Sequence, residues 1–276
     1  MRKLLGSIFA LAFAATTAHA AAHAAAPSAP GVSLNWDRCF GDGSVQYRNF
    51  ACDVNTGSDR MVGSFELTSP MPAVTGLEIV LEVGTVAAVP QWWLFTAPGG
   101  VIGCRGSALG AGFTVPAGAN ACTDWAGGLG AGGLAGYRSD LSNPTRRHVA
   151  VAEAVLVPVD LTAGQEYFAF TLNLQHTKST GAGSCAGCLD PAVIFLSSVN
   201  VVPATGRSTL LTGGANYTGS QWVSWQMGYP SNIFHGCGHI TPDGRCALPY
   251  ADFIVVPYSV TPTQNSTWGQ VKSLYR

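Results

Sequence analysis

The sequence is short of charge. Asp, Glu, Lys and Arg together make up 11% of its 276 residues, against roughly 25% in ordinary globular chains. It has no basic stripe of the kind a nucleic-acid binder needs, and no polybasic cluster for anionic lipid. After the first twenty residues no apolar run is long enough to cross a membrane as a helix. Long helical periodicity is missing, and strands do not alternate with helices, which argues against a parallel α/β fold. G-x-S-x-G and H-E-x-x-H are also absent, which removes two common hydrolase signatures.

The N-terminus is more informative. Arg2 and Lys3 precede an uncharged run from Leu4 to Ala15, and Ala18-His19-Ala20 has the small-x-small form of a cleavage site. Residues 1–20 therefore read as a secretory signal peptide. Residues 21–30 are an Ala/Pro-rich lead-in predicted to be disordered. Removing Arg2 and Lys3 from the 14 basic residues leaves 12 against 15 acidic ones, a mature net charge of about −3. Export implies oxidising conditions. The expected location is periplasmic, extracellular or at the cell surface.

Period-two patterns recur along the rest of the chain. Strands are predicted at 61–68, 76–83, 91–96, 148–159, 166–175, in "AVIFLSSVNVV", in "QWVSWQMG" and in "FIVVPYSV". Leu77, Ile79, Leu81 and Val83 are expected to face a core, with Glu78, Val80 and Glu82 toward solvent. In 166–175, Phe168, Phe170, Leu172 and Leu174 form the expected core face. The predicted fold is all-β: an antiparallel β-sandwich of jelly-roll type, residues 31–276 as one domain, with long disulfide-stapled loops. Two smaller β domains joined near 140–147 are the competing arrangement.

Eight cysteines in an exported chain read as a disulfide framework: Cys39, Cys52, Cys104, Cys122, Cys185, Cys188, Cys237 and Cys246. The spacing suggests local pairs, 39 with 52, 104 with 122, 185 with 188 and 237 with 246. Eight cysteines allow about 105 connectivities, so the pairing stays open. "GSCAGCLDP" has no helix after it, which argues against a redox CxxC. "HGCGH" places His235, Cys237 and His239 on one face of an extended segment, and Cys185 with Cys188 would complete a zinc site. The preferred reading is a clamp on a turn.

Other candidates carry weaker signals. Asp37, Asp42, Asp53, Asn55 and Asp59 are oxygen ligands in Gly-containing loops and could hold calcium. Against this, Gly57 and Ser64 stand where further ligands would be, and Asx turns explain the same residues. No other cofactor is expected. "GLGAGG" matches a dinucleotide fingerprint without the preceding strand. Glu78 and Glu82 would lie about 13 Å apart along one strand, too far for a glycosidase pair. His148 and His176 read as surface residues. Trp92, Trp93, Trp222 and Trp225, with Trp125 and Tyr137, would stack on sugar rings if exposed, and at least one of the first four is expected to be.

"LNWDRCFGDG", "NFACDVNTG", "MVGSFEL" and the closing "STWGQVKSLYR" resemble a group of exported bacterial proteins with no established activity. The resemblance runs through most of the mature chain. It implies export and a bacterial source, which would leave the glycosylation patterns at Asn216 and Asn265 without meaning. No catalytic residue follows from it. The sequence thus predicts a secreted, non-catalytic β-sandwich with a binding or envelope-structural role, its partner a glycan or another surface protein. A secreted glycan hydrolase is the alternative.

Overall fold

The computed structural model describes residues 31–95, 103–139, 143–212, 220–237 and 249–257. The predicted signal peptide and lead-in, together with His239, Cys246, Asn216 and Asn265, fall outside these residues. Fourteen strands follow one another: β1 (Gly31–Trp36), β2 (Tyr47–Arg48), β3 (Ser58–Glu66), β4 (Met71–Thr85), β5 (Leu109–Gly112), β6 (Thr123–Asp124), β7 (Ala131–Ser139), β8 (Arg146–Leu161), β9 (Glu166–Gln175), β10 (Ala192–Pro203), β11 (Thr209–Thr212), β12 (Trp222–Trp225), β13 (Gly228–Cys237) and β14 (Pro249–Pro257).

They form two sheets and a hairpin. One sheet runs β1-β3-β9-β5, with β6 also on β9; the other runs β2-β12-β10-β4-β8-β7. The far edge of β10 is shared, β12 pairing its first half and β11 its second. Pairing is antiparallel except for the two-residue contacts of β2 with β12 and β6 with β9. The sheets enclose one core. Leu34, Met61, Phe65, Phe170 and Leu172 come from the first sheet; Leu77, Ile79, Leu81, Val149, Val151 and Ile194 come from the second. Each large side chain removed from water in this way contributes about 1.5–3 kcal/mol.

The alternating strands of the sequence are present, with three corrections. The first concerns β9. A bulge pairs Gly63 with Phe170 and Ser64 with Phe168, leaving Ala169 unmatched. A one-residue slip reverses which face the following side chains occupy. Tyr167 therefore joins the central core and stacks on Phe65 at 5.6 Å. Phe168 points outward, into a small cluster with Cys39, Cys122, Val62 and Ala119.

The second concerns "QWWLFT". Gln91–Trp93 is a 3-10 turn following Pro90 rather than a strand. Successive side chains of such a turn are splayed about 120° apart, not 180°, so Trp92 and Trp93 both enter the core.

The third concerns the outer face of β4. Glu78 is exposed as expected, but Glu82 is fully buried. The hairpin strand β14 packs against β4 and β10. Its Val255 completes a cluster with Val193, Phe195 and Trp222. Beneath this cover Glu82 pairs with Arg146 at 3.0 Å and accepts from Ser197 Oγ at 2.9 Å.

Candidate functional site

The cysteines organise one end of the molecule. Cys52 lies between β2 and β3, Cys104 before β5, and Cys185 and Cys188 between β9 and β10. Their bonds are nested: Cys52 with Cys188, and inside that loop Cys104 with Cys185. A third bond joins Cys39 to Cys122. The local pairs 39–52, 104–122 and 185–188 are thus replaced by bonds spanning 83, 136 and 81 residues. The reason is topological. In a sandwich, loops distant in sequence meet at the sheet ends, so separation along the chain says little about proximity. The CxxC is a clasp, as the sequence suggests, but it ties three loops together instead of closing its own turn. Cys237 and Cys246 cannot be assigned, because the Cys237 side chain and Cys246 lie outside the described residues.

Under the clasp lies an aromatic cluster. Trp92 stacks on Trp225 at 4.9 Å, and Trp93 meets both edge-on at 5.1 and 5.9 Å. Trp36 completes the group at 6.3 Å from Trp225. The clasp loop takes up the polar atoms of Trp92 and Trp225, while Trp93 Nε1 is left without a partner among the described residues. Trp225 Nε1 donates to the Cys188 carbonyl at 2.8 Å, and the Trp92 backbone N–H donates to Ala186 O. Trp92 Nε1 donates to Ser179 Oγ at 3.0 Å. Arg105 lies flat over Trp92 at 3.5 Å and donates to the Trp92 and Thr177 carbonyls. It is 2% exposed, with no carboxylate paired to it among the described residues. Burial pulls its guanidinium down to about 9, so it stays charged at neutral pH.

All four tryptophans proposed as sugar platforms are therefore buried. Trp222 and Trp225 do face opposite sides of β12, but the outer face is covered as well. Trp222 packs against Phe195, Val193 and Val255, with Tyr229 edge-on at 5.6 Å. Trp125 and Tyr137 are buried too. The Tyr137 hydroxyl donates to the Trp93 carbonyl, and burial pushes its ionisation up.

The calcium candidates do not converge. Asp37 pairs with Arg48, and Arg48 contacts Asp59 at 3.2 Å. Asp59 contacts His176 Nε2 at 2.8 Å, while Nδ1 of that ring lies 3.1 Å from the Thr56 carbonyl. Phe50 stacks on the same ring at 3.8 Å, so His176 is buried in the loop end instead of lying on the surface. Asn55 Oδ1 accepts from the backbone of Ser179 and Thr180. Asp42 accepts from the Asn120 backbone, and Asp53 is exposed. Among the described residues no group of three or more His, Cys, Asp or Glu side chains is placed to hold a metal. In the zinc proposal Cys185 and Cys188 are already committed to disulfides, and the side chains of His235 and His239 lie outside the described residues.

One acidic residue was missed. Glu153 sits in "VAVAEAV" on the inward side of β8, 3% exposed. Trp125 Nε1 donates to Oε2 at 2.7 Å, and Oε1 has no partner. Desolvation, reinforced by the charge of Asp124, pushes the carboxyl up to about 8 against the single indole bond. Asp124 itself accepts from the backbone of Ala126 and Gly128, which holds the glycine turn that follows. Gly130 touches Oε1 so closely that a Cβ there would lie 1.9 Å away. An open trough of about 290 Å³ runs beside it along Ala131–Ala135 and Ala152–Ala154. The available signal was parity: Glu153 shares its face with Val149 and Val151.

Comparison with protein-family models, with curated proteins and with solved structures finds no match.

Proposed function

We propose that the protein is an exported, disulfide-locked sandwich acting as a binding or structural component outside the cytoplasm, without turning over a substrate. Three disulfides suit an oxidising compartment. The observation that carries the reading is the construction of the loop end. Loops there commonly carry the chemistry of a β-sandwich, whereas here the nested disulfides and the tryptophan cluster close it into a rigid block. A fixed surface suits recognition or assembly, because little ordering entropy is lost on contact.

A second reading rests on Glu153. A carboxylic acid kept neutral beside a second carboxylate is the arrangement from which glycosidases draw a general acid. The two readings separate in one experiment. The exported chain is incubated with insoluble peptidoglycan, chitin and cellulose, then sedimented, and released reducing ends are measured. Co-sedimentation without release is the expected result. Release that disappears in Glu153→Gln would establish the hydrolase instead.

A further inference from the structure

The two nested bonds share a CxxC, and this has a chemical consequence. Cys104 is half-buried, whereas Cys185, Cys188 and Cys52 are buried. Of the four clasp cysteines only Cys104 is partly exposed, so an external thiol meets it first. Lys178 bridges the two backbones that the Cys104–Cys185 bond joins. Lys178 Nζ donates to the Cys104 carbonyl at 2.7 Å, and the Lys178 carbonyl accepts from the Cys185 N–H at 2.9 Å. Arg105 is the next residue in the chain. Neither cation is paired to a carboxylate among the described residues. An electropositive surround stabilises a departing thiolate, and a better leaving group speeds exchange. Residues 186–189 form turns, with Gly187 at φ +95°. A turn brings residues three apart within about 7 Å, near the range a disulfide spans. Backbone strain is stored at the same place. Cys52 and Lys178 both hold φ 58°, and Gln226, which donates to the Phe50 carbonyl beside Cys52, holds φ 52°.

We infer that Cys104–Cys185 is an exchange-competent disulfide attacked by an external dithiol, and that Cys188 relays the exchange to Cys52. The thiolate of the dithiol attacks Cys104 Sγ and forms a mixed disulfide, expelling Cys185 as thiolate. Cys185 then attacks Cys188 Sγ, forming a Cys185–Cys188 bond and expelling Cys52 as thiolate. The second thiol of the reagent resolves the mixed disulfide and frees Cys104. The dithiol loses two electrons and becomes a disulfide. The protein gains two electrons and two protons, held as thiols on Cys52 and Cys104. Three loops are thereby released from one another, and the cover over Trp92 and Trp225 loosens. The natural reagent would be a dithiol oxidoreductase of the exported compartment.

The test uses the full exported chain with one equivalent of dithiothreitol, an acid quench, alkylation and peptide mapping. The expected map has Cys52 and Cys104 alkylated, Cys185 linked to Cys188, and Cys39–Cys122 intact. Tryptophan emission is expected to shift to the red in step. Alkylation of Cys104 and Cys185 with Cys52–Cys188 intact would overturn the relay, and no reaction short of denaturation would overturn the whole inference. Lys178→Glu keeps all the disulfides. It is expected to slow the attack about threefold or more with unchanged starting emission, and an unchanged rate would remove the electrostatic argument.

Discussion

Arg105 and Glu153 present the same problem at opposite ends of the charge scale, and the fold answers it differently. Both are almost wholly removed from water. Arg105 keeps its charge because the guanidinium has a ring face beneath it and two carbonyls at its edge, even with Nη2 left without a partner among the described residues. Glu153 has one indole N–H and one empty oxygen, so it keeps its proton instead. A buried ion survives where the surroundings are dense in partners. Around Arg105 the density comes from three loops bonded covalently. Around Glu153 there are glycines and alanines, and nothing is available to pay for a charge.

The largest way to break this comparison is to cut the clasp. Cys52→Ala with Cys188→Ala should lower stability by about 4 kcal/mol, the chain-entropy value for the shorter loop that remains once Cys104–Cys185 is closed inside it. Denaturant unfolding of oxidised protein measures it. Next comes the pH dependence of Glu153. Its folded value lies near 8 and its unfolded value near 4.5, so unfolding releases a proton in between. Stability should therefore fall as pH rises from about 4.5 to 8, by about 3–5 kcal/mol, and flatten above that. In Glu153→Gln most of this slope should go, the raised Glu66 carboxyl leaving a smaller remainder of the same sign; a slope unchanged by the substitution would mean that Glu153 is already ionised in the folded protein. Arg105→Lys keeps the charge but loses the planar fork over Trp92, and should cost about 2 kcal/mol. An unchanged melting temperature would show that stacking contributes little. The smallest effect has the opposite sign. Met227 holds φ 59° in the turn between β12 and β13, and Met227→Gly should stabilise by about 1 kcal/mol.

The strands were legible because alternation is a local signal. The period-two pattern of 166–175 coincides with β9, and that of 148–159 lies within β8. What decides a face is often non-local. Nothing in "EYFAFTLNLQ" announces that Ala169 will be skipped by β3, yet that skip sends Phe168 outward. Glu82 reads as solvent-facing until a hairpin about 170 residues later covers it. The tryptophans were rightly placed on opposite faces of β12, but exposure depends on what else arrives, and both faces are covered. Cysteine pairing failed for the same reason, since loop ends meet through topology. Glu153 was legible by parity and was passed over, because a single carboxylate in an apolar strand forms no motif.

The crossed connectivity also orders events in time. A chain emerging N-terminus first presents Cys39, Cys52 and Cys104 before any of their native partners, which stand at 122, 185 and 188. An oxidant meeting the nascent chain at that stage can make only wrong bonds, the short 39–52 link first among them. Native protein then has to be reached by reshuffling, which takes minutes to hours without an isomerase. The yield of this protein in any host should accordingly follow the host's disulfide isomerase more closely than its oxidase.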